Sequence, residues 1–267
     1  MIFPGQSMPQ VIVTRPEQDS ASWLTQLQAA GLRAKSMPLL ELTEILTPGQ
    51  AAKTLDLLLQ SQVVMFVSAN SVRFLAKALE ATPDWTNHFK HQARAWCTGP
   101  GTAAALLSCG IPQSQIDQPS PQASQLDSEA LWDVVSTQVS AGMKALFVRG
   151  ADETGNIAGR DWLAMQLEQR QVQVQAIAAY QRQVTRLVPQ QLKLVQSWVD
   201  EGAIWLFSSS AALDGLVAQC PDVDWSKAKA VVTHPRIAQL ATQLGWQQTS
   251  IASPGVPSLI ASIKSLA

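Results

Sequence analysis

Polar residues that could bind a small anion follow apolar runs repeatedly along this chain of 267 residues. Hydroxyl groups, arginine side chains and the free N–H groups at helix starts all bind carboxylates. Each polar group is followed by a helical pattern, so the residues are expected in loops that lead into helices. The candidate ligand-binding residues in these segments are Arg15, Ser68, Asn70, Gly99, Thr102, Arg149, Gly150, Ser208, Ser209, Ser210, His234 and Arg236.

The pattern of apolar run, polar loop and helix start occurs twice in the same order. The first copy comprises Val11–Pro16, Phe66–Asn70 and Ala95–Ala104, and the second comprises Leu146–Gly150, Phe207–Ala211 and Ala230–Ala238. Strands that alternate with helices are typical of parallel sheets covered by helices. The repeat therefore predicts an α/β protein of two similar lobes, each a parallel sheet flanked by helices, with the polar loops lining a shared cleft.

Composition excludes several classes of protein. Hydrophobic residues make up 46% of the chain, and a net charge of -1 argues against a nucleic-acid-binding surface, which usually shows a basic excess. We find no apolar run of about 18 residues and no signal-peptide pattern at residues 1–9, so neither a membrane span nor export is expected. The sequence predicts a soluble, cytoplasmic protein.

The cysteines and histidines do not form a metal-binding pattern. Cys97, Cys109 and Cys220 lack CxxC spacing and are expected to be reduced thiols in the core. His88 and His91 stand among charged residues, which predicts a solvated surface position. We therefore predict no metal site.

The segment around Gly99 has two interpretations. Thr102 could present its hydroxyl and N–H to a substrate carboxylate, or it could be an ordinary cap or first-turn residue of a helix. A dinucleotide site is disfavoured, because Ala104 stands where a third glycine of the GxGxxG pattern would be required. The missing phosphate-loop lysine likewise argues against a nucleotide-dependent enzyme.

Taken together, these segments resemble the uroporphyrinogen-III synthase family over nearly the whole chain. The resemblance depends on the order and spacing of several short motifs. These are Thr14–Pro16, Phe66–Asn70, Gly99–Ala103, Ser128–Leu131, Arg149-Gly150 with Gly159-Arg160, Tyr180–Arg182 and Phe207–Ser210.

The resemblance implies a lyase of tetrapyrrole and haem biosynthesis that dehydrates and cyclises hydroxymethylbilane to uroporphyrinogen III, with inversion of ring D. It implies that no cofactor or metal is used, that the substrate is held in the cleft between the lobes and that the protein is a monomer. The preceding enzyme of the pathway is a candidate partner. The open alternative is a non-catalytic, two-lobed cytosolic protein that binds a small anionic ligand.

The resemblance also implies a discontinuous first lobe. Lobe 1 would comprise residues 8–38 and 183–267, lobe 2 residues 45–175, and the two-stranded linker residues 39–44 and 176–182. Composition alone would place one boundary near residue 125, in the Pro-, Ser- and Gln-rich stretch 112–128. We adopt the discontinuous division, because the extended stretches Leu39–Glu44 and Ala176–Arg182 suit a paired linker.

Tyr180 matches the tyrosine whose hydroxyl is thought to assist departure of the leaving group in this family. A phenol is protonated at neutral pH and can donate a proton. The alternative is a structural tyrosine at a strand end. Arg15, Arg149 and Arg160 could each bind a substrate carboxylate or form a structural salt bridge, and His234 with Arg236 could act as paired donors although they depart from the turn usual in the family.

The serines and Asn70 have a similar ambiguity, since each could contact substrate or cap a helix. Orientation of a flexible substrate is expected to account for most of the rate, because good alignment can contribute about 7–11 kcal/mol.

Overall fold

The computed structural model describes residues 9–120, 123, 125–157, 162–252 and 255–267. The strands are β1 (Gln10–Val13), β2 (Arg33–Ser36), β3 (Leu40–Glu44), β4 (Val63–Phe66), β5 (Arg94–Cys97), β6 (Ile116–Asp117), β7 (Lys144–Ala151), β8 (Gln173–Val184), β9 (Ile204–Phe207), β10 (Lys229–Val232) and β11 (Gln248–Ile251). The α-helices are α1 (Glu17–Ala29), α2 (Pro48–Gln60), α3 (Ala69–Ala78), α4 (His88–His91), α5 (Pro100–Ser108), α6 (Ser128–Val135), α7 (Trp162–Gln169), α8 (Pro189–Asp200), α9 (Ser210–Gln219), α10 (Pro235–Gln243) and α11 (Val256–Leu266).

The chain forms two compact units, and the first of them is discontinuous in sequence. Unit 1 contains the chain up to Glu41 and again from Gln183 onwards, whereas unit 2 runs from Leu42 to Arg182. The stretch 112–128 falls inside unit 2 and includes β6. The chain therefore changes unit after Glu41 and again after Arg182.

Unit 1 is built on a five-stranded sheet in the order β11-β10-β9-β1-β2, and each neighbouring pair is parallel. Alternate residues of one strand face opposite layers, as the two-residue period of a strand requires. Ile12 belongs to a core with residues of α8, α9 and α10, whereas Val11 and Val13 belong to a core with residues of α1 and α11. Burial on both faces explains why these strands are continuous apolar runs.

Unit 2 is built on a six-stranded sheet in the order β3-β8-β7-β4-β5-β6. The pairs from β8 to β6 are parallel. Phe66 faces a core that includes residues of α2, α3 and α5, and Met65 faces a second core that includes residues of α6 and α7. The predicted α/β class, with parallel sheets covered by helices on both faces, is confirmed.

The first strand of each sequence copy lies in a different unit from the rest of that copy. In unit 2 the strands β6-β5-β4-β7-β8 lie in the same spatial order as β11-β10-β9-β1-β2 in unit 1. Strand β1 therefore corresponds to β7, although β1 belongs with the first copy in sequence and with the last strands of the chain in space. This exchange explains why a repeat with two contiguous copies in sequence gives a discontinuous unit.

The structure corrects the expectation for His88 and adds the edge strand β11, which the sequence pattern did not predict. His88 is 9% exposed, and its Nε2 lies 2.8 Å from the carbonyl oxygen of Ser61, so the predicted surface position is wrong. Strand β11 was not predicted because its sequence, Gln248–Ile251, is mostly polar and its residues are exposed or half-buried. Among the described helices, none combines the length and hydrophobicity that a bilayer crossing requires.

Candidate active site

The predicted site residues in the described part of the chain lie at or beyond the carboxyl ends of parallel strands. Each sheet has one topological switch point, at which the chain connections on the two sides run in opposite directions. It lies between β4 and β7 in unit 2 and between β9 and β1 in unit 1. Open α/β sheets bind ligands in the crevice at such a switch point. Unit 2 contains Ser68, Asn70, Gly99, Thr102, Arg149, Gly150 and Tyr180, of which Ser68 and Gly150 lie against Tyr180. Unit 1 contains Arg15, Ser208, Ser209, Ser210, His234 and Arg236.

Tyr180 is held at the switch point of unit 2 by contacts on several sides. Its Oη lies 3.2 Å from Ser68 Oγ, at the start of the helix that follows β4. Its ring stacks on Phe74, with centroids 5.1 Å apart and an interplanar angle of 23°. Tyr180 is only 4% exposed. The ring is therefore fixed in an apolar cluster, while its hydroxyl meets a polar group at the strand end.

A β-bulge places Tyr180 beside Gly150. Arg149 pairs with Ala178, but Gly150 pairs with Tyr180, so Ala179 is an extra residue on β8. A Cβ atom at position 150 would lie 2.6 Å from Tyr180 Cζ, closer than side chains tolerate. Gly150 was predicted to bind substrate, and what the structure shows is that it provides the space that the tyrosine ring fills.

Ser68 caps α3 through a reciprocal arrangement with Ser71. The backbone N–H of Ser71 donates to Ser68 Oγ at 3.1 Å, and the backbone N–H of Ser68 donates to Ser71 Oγ at 3.2 Å. This is a capping box, which satisfies N–H groups that a helix start otherwise leaves unpaired. Ser68 therefore caps the helix, which was one of its two interpretations, and the same oxygen atom also contacts Tyr180.

The remaining predicted residues of unit 2 occupy strand ends and helix starts. Asn70 Oδ1 accepts a hydrogen bond from Arg73 Nη1 at 3.0 Å. Gly99 is the residue immediately before α5, and the buried Thr102 lies in the first turn of that helix. Arg149 is 4% exposed, and its guanidinium carbon lies 5.0 Å from the ring centroid of Phe147. Arg149 is thus buried beside the Phe147 ring near the end of β7.

The Cys97 thiol, beside Gly99, is unreactive at neutral pH. Cys97 is the last residue of β5, and its Sγ donates a weak hydrogen bond to the Gly99 carbonyl oxygen at 3.9 Å. Burial raises the pKa of the Cys97 thiol to about 12, because a buried thiolate loses its hydration. All three cysteines are free, as the sequence predicts, although Cys109 is only half-buried. The Cys97 thiol is therefore protonated at neutral pH and is a poor nucleophile.

Arg15 and the three serines mark the switch point of unit 1. The hydroxyl of Thr14 donates to the Leu206 carbonyl oxygen at 2.6 Å and thereby ties the end of β1 to β9. The Arg15 guanidinium lies 4.5 Å from the Trp23 ring centroid, and its Nη2 lies 3.8 Å from Asp19 Oδ2. Arg15 therefore forms the structural contacts that were one of its two predicted roles.

Of the three serines after β9, Ser210 lies beside the start of α10. Ser208 is exposed, and Ser209 is the residue before α9, although its side chain makes no capping hydrogen bond there. Ser210 and Arg236 line the same surface groove, which has a volume of about 330 Å³ and includes residues of α10. The structure thus brings together two candidate residues that are far apart in sequence.

His234 acts as a helix cap. Its Nδ1 accepts a hydrogen bond from the backbone N–H of Arg236 at 3.1 Å, at the start of α10. This differs from the predicted pair of donors, since Nδ1 is used as an acceptor and only Nε2–H can donate. Both side chains are exposed, so the arginine and the Nε2–H group are accessible to a carboxylate.

Phe74 is a site residue that the sequence did not reveal. It stacks on Tyr180 from α3, but no local pattern connects a phenylalanine in one helix with a tyrosine in a distant strand. The Gly159-Arg160 pair, a possible carboxylate contact, lies outside the described residues. Within the described ranges, no group of three or more His, Cys, Asp or Glu residues is placed to hold a metal ion.

Comparison with known proteins identifies the family. The model of the family described as Uroporphyrinogen-III synthase HemD matches residues 21–261. A Salmonella typhimurium uroporphyrinogen-III synthase is 28% identical over 247 residues, covering 91% of this chain and 94% of the relative. These matches do not favour the alternative of a non-catalytic binding protein.

Solved structures show the same fold at low sequence identity. Uroporphyrinogen-III synthetase from Helicobacter pylori gives a TM-score of 0.63 at 13% identity, covering 97% of this chain and 100% of the other. A mutant uroporphyrinogen III synthase from Thermus thermophilus gives a TM-score of 0.59 at 13% identity, covering 97% and 98%. Because the family match spans most of the sequence, the chain belongs to the uroporphyrinogen-III synthase family, whose members are cyclising enzymes of the lyase type.

Proposed function

We propose that this chain dehydrates and cyclises hydroxymethylbilane to uroporphyrinogen III, inverting ring D, as a hydro-lyase that needs no cofactor. The observation that carries the proposal is the position of Tyr180, whose hydroxyl meets Ser68 at the switch point of unit 2. A phenol placed at the end of a parallel sheet can serve as a proton donor to a bound substrate.

The reaction needs one departing group and one correctly placed nucleophile. When the hydroxyl on ring A leaves, its C–O bond breaks and the electron pair stays on oxygen, while the pyrrole nitrogen supplies electrons to the carbon. A proton from Tyr180 Oη makes the departing group water. Ring D then attacks the ring A methylene through its substituted carbon, which gives a spiro intermediate. The bond from that same carbon to the bridge of ring C breaks, with the electrons of the ring C pyrrole stabilising the bridge carbon, and the bridge carbon rejoins at the free carbon of ring D. Loss of the proton from that carbon restores the aromatic ring D and returns a proton to the tyrosine oxygen. One water is lost overall.

Substrate binding in this proposal uses dispersed polar groups. The substrate class carries many carboxylates, and hydroxyl groups with helix N-terminal N–H groups can hold carboxylates without a dense basic patch. Candidate groups are the Thr102 hydroxyl at the start of α5 and, in unit 1, the exposed Arg236 at the start of α10. A net charge of -1 is compatible with such a site.

The positions of these groups also fit the chemistry that determines the product. Uroporphyrinogen III differs from the spontaneous product, isomer I, only in the orientation of ring D. That orientation depends on which carbon of ring D attacks. An enzyme selects between the two by holding the chain in one conformation, which is orientation catalysis. Loops at several strand ends suit this task, because each can fix a different carboxylate.

The test is product analysis. Hydroxymethylbilane is generated in place, purified protein is added without cofactor, and the oxidised uroporphyrin isomers are separated, with a reaction lacking the protein as the control. An excess of isomer III supports the proposal. Isomer I alone, with tight retention of the substrate, would contradict it and favour a binding protein. The predicted monomeric state, cytoplasmic location and association with the preceding enzyme remain predictions.

A further inference from the structure

The hydrogen bonds around Ser68 leave its own proton available. Ser68 Oγ accepts from the backbone N–H of Ser71, and Ser71 Oγ uses its proton on the Ser68 carbonyl oxygen at 2.6 Å. The Ser71 hydroxyl is thus fully engaged, because it also accepts from the Ser68 backbone N–H. Tyr180 Oη, at 3.2 Å, is the remaining polar neighbour recorded for Ser68 Oγ among the described residues.

The tyrosine cannot move far from this serine. Phe74 stacks on its ring, and the ring lies against the bare Cα of Gly150. Both contacts restrict rotation of the ring, so the hydroxyl occupies one place. Ser68 is equally fixed, because its oxygen is held by the capping box of α3.

We propose that Ser68 is a positioning residue that donates its proton to Tyr180 Oη and so leaves the phenol proton directed at the substrate. A phenol oxygen can accept one hydrogen bond while it donates another. A donor from Ser68 also stabilises the negative charge that grows on Oη as its proton leaves. This inference rests on the proposed function, and it gives Ser68 a role toward Tyr180, whereas the sequence left Ser68 open between contacting substrate and capping a helix.

The capping box suggests a clean substitution. Alanine in place of a serine cap clearly destabilises a helix, whereas glycine in that place costs much less. Ser68→Gly therefore removes the hydroxyl with little effect on the helix. Ser68→Thr keeps the hydroxyl and serves as the rescue variant.

The kinetic test is a double-mutant cycle with Tyr180→Phe. We expect Ser68→Gly to lower kcat about five- to tenfold, the effect of one lost hydrogen bond, with KM unchanged and with most of kcat restored in Ser68→Thr. In the Tyr180→Phe background the same glycine substitution should change kcat less than about twofold, because its partner is already gone. The proposal would be overturned if kcat fell equally in both backgrounds, or if Ser68→Gly raised KM and left kcat unchanged.

A spectroscopic test of the hydrogen bond does not depend on enzyme activity. Tyr180 is the only tyrosine in the chain, so protein labelled with ¹³C at the tyrosine Cζ gives one resonance. We expect that resonance to shift in Ser68→Gly and to return in Ser68→Thr, and an unchanged resonance would refute the hydrogen bond. If wild-type protein yields only isomer I while the resonance still shifts, the proposed function fails and the hydrogen bond stands. If Ser68→Gly does not fold, Ser68→Ala, which also lacks the hydroxyl, provides the same comparison with wild type and with Ser68→Thr.

Discussion

Tyr180 occupies the space that any side chain at Gly150 would need. A Cβ on Gly150 would lie 2.6 Å from Cζ, 2.8 Å from Cε2 and 2.9 Å from Oη of the tyrosine. The one-residue bulge on β8 brings the two residues opposite each other. The geometry of the candidate proton donor therefore depends on the absence of a side chain on the neighbouring strand.

Gly150→Ala should displace the Tyr180 ring. The ring has little room to yield, because it stacks on Phe74 and is 4% exposed. We expect the unfolding free energy to fall by about 1–3 kcal/mol, as for other overpacked cores. We also expect kcat to fall more than KM changes, since the phenol moves away from its hydrogen-bond partner. Urea unfolding and steady-state kinetics measure the two effects.

Gly49→Ala is the matched control for this substitution. Gly49 lies in the first turn of α2, and a Cβ there would meet nothing within 4 Å. This variant should keep wild-type kinetics and gain up to about 1 kcal/mol from the better helix propensity of alanine. Wild-type stability and kcat in Gly150→Ala would show that the ring can move freely and that the contact is unimportant.

Tyr180→Phe tests the proton donor itself. The ring and its stacking on Phe74 are retained, and only the hydroxyl near Ser68 is removed. We expect kcat to fall about ten- to a hundredfold, at or below the low end of general acid effects, because orientation of the substrate contributes most of the rate. Isomer III should remain the main enzymatic product. Complete loss of activity in a folded variant would contradict this division between orientation and proton donation.

The strands that position the site could be predicted because their signals are local. Val63–Phe66 and Ile204–Phe207 are apolar runs buried on both faces, followed by serines that begin helices. Hydroxyl-rich segments after such runs must lie at the carboxyl edge of a parallel sheet. Sequence reasoning therefore located Ser68 and Ser209 correctly at strand ends without knowledge of the strand order.

The contacts that give the site its geometry could not be predicted in the same way. The bulge that aligns Tyr180 with Gly150 is a matter of register between two strands, and no local pattern specifies it. His88 was placed on the surface for a similar reason, since its partner, the Ser61 carbonyl, lies 27 residues away in sequence. Long-range pairings of this kind become visible only in three dimensions.

Gly215→Ala tests a second close approach, in unit 1. Gly215 lies in α9, and a Cβ there would collide with the side chain of Val184 at the end of β8. Alanine gains about 1 kcal/mol of helix propensity, but overpacking costs about 1–3 kcal/mol, so a net loss of stability is expected. Thermal unfolding should show a lower Tm for the variant. The added substitution Val184→Ala should recover part of that loss, and additive effects would mean that the two side chains do not collide.

Stability at alkaline pH should depend on Cys97. Its folded pKa is raised from 9.0 to about 12 by burial, so the folded state favours the neutral thiol, whereas the unfolded thiol ionises near pH 9. The stabilisation is therefore complete below about pH 9 and is lost as the pH rises towards 12. Between pH 8 and pH 10 this one group should remove about 1 kcal/mol from the unfolding free energy. Urea unfolding of wild type and Cys97→Ala at both pH values measures the difference, because other groups titrate equally in the two proteins. Equal pH dependence in the two would show that the thiol ionises as readily in the folded protein as in the unfolded chain.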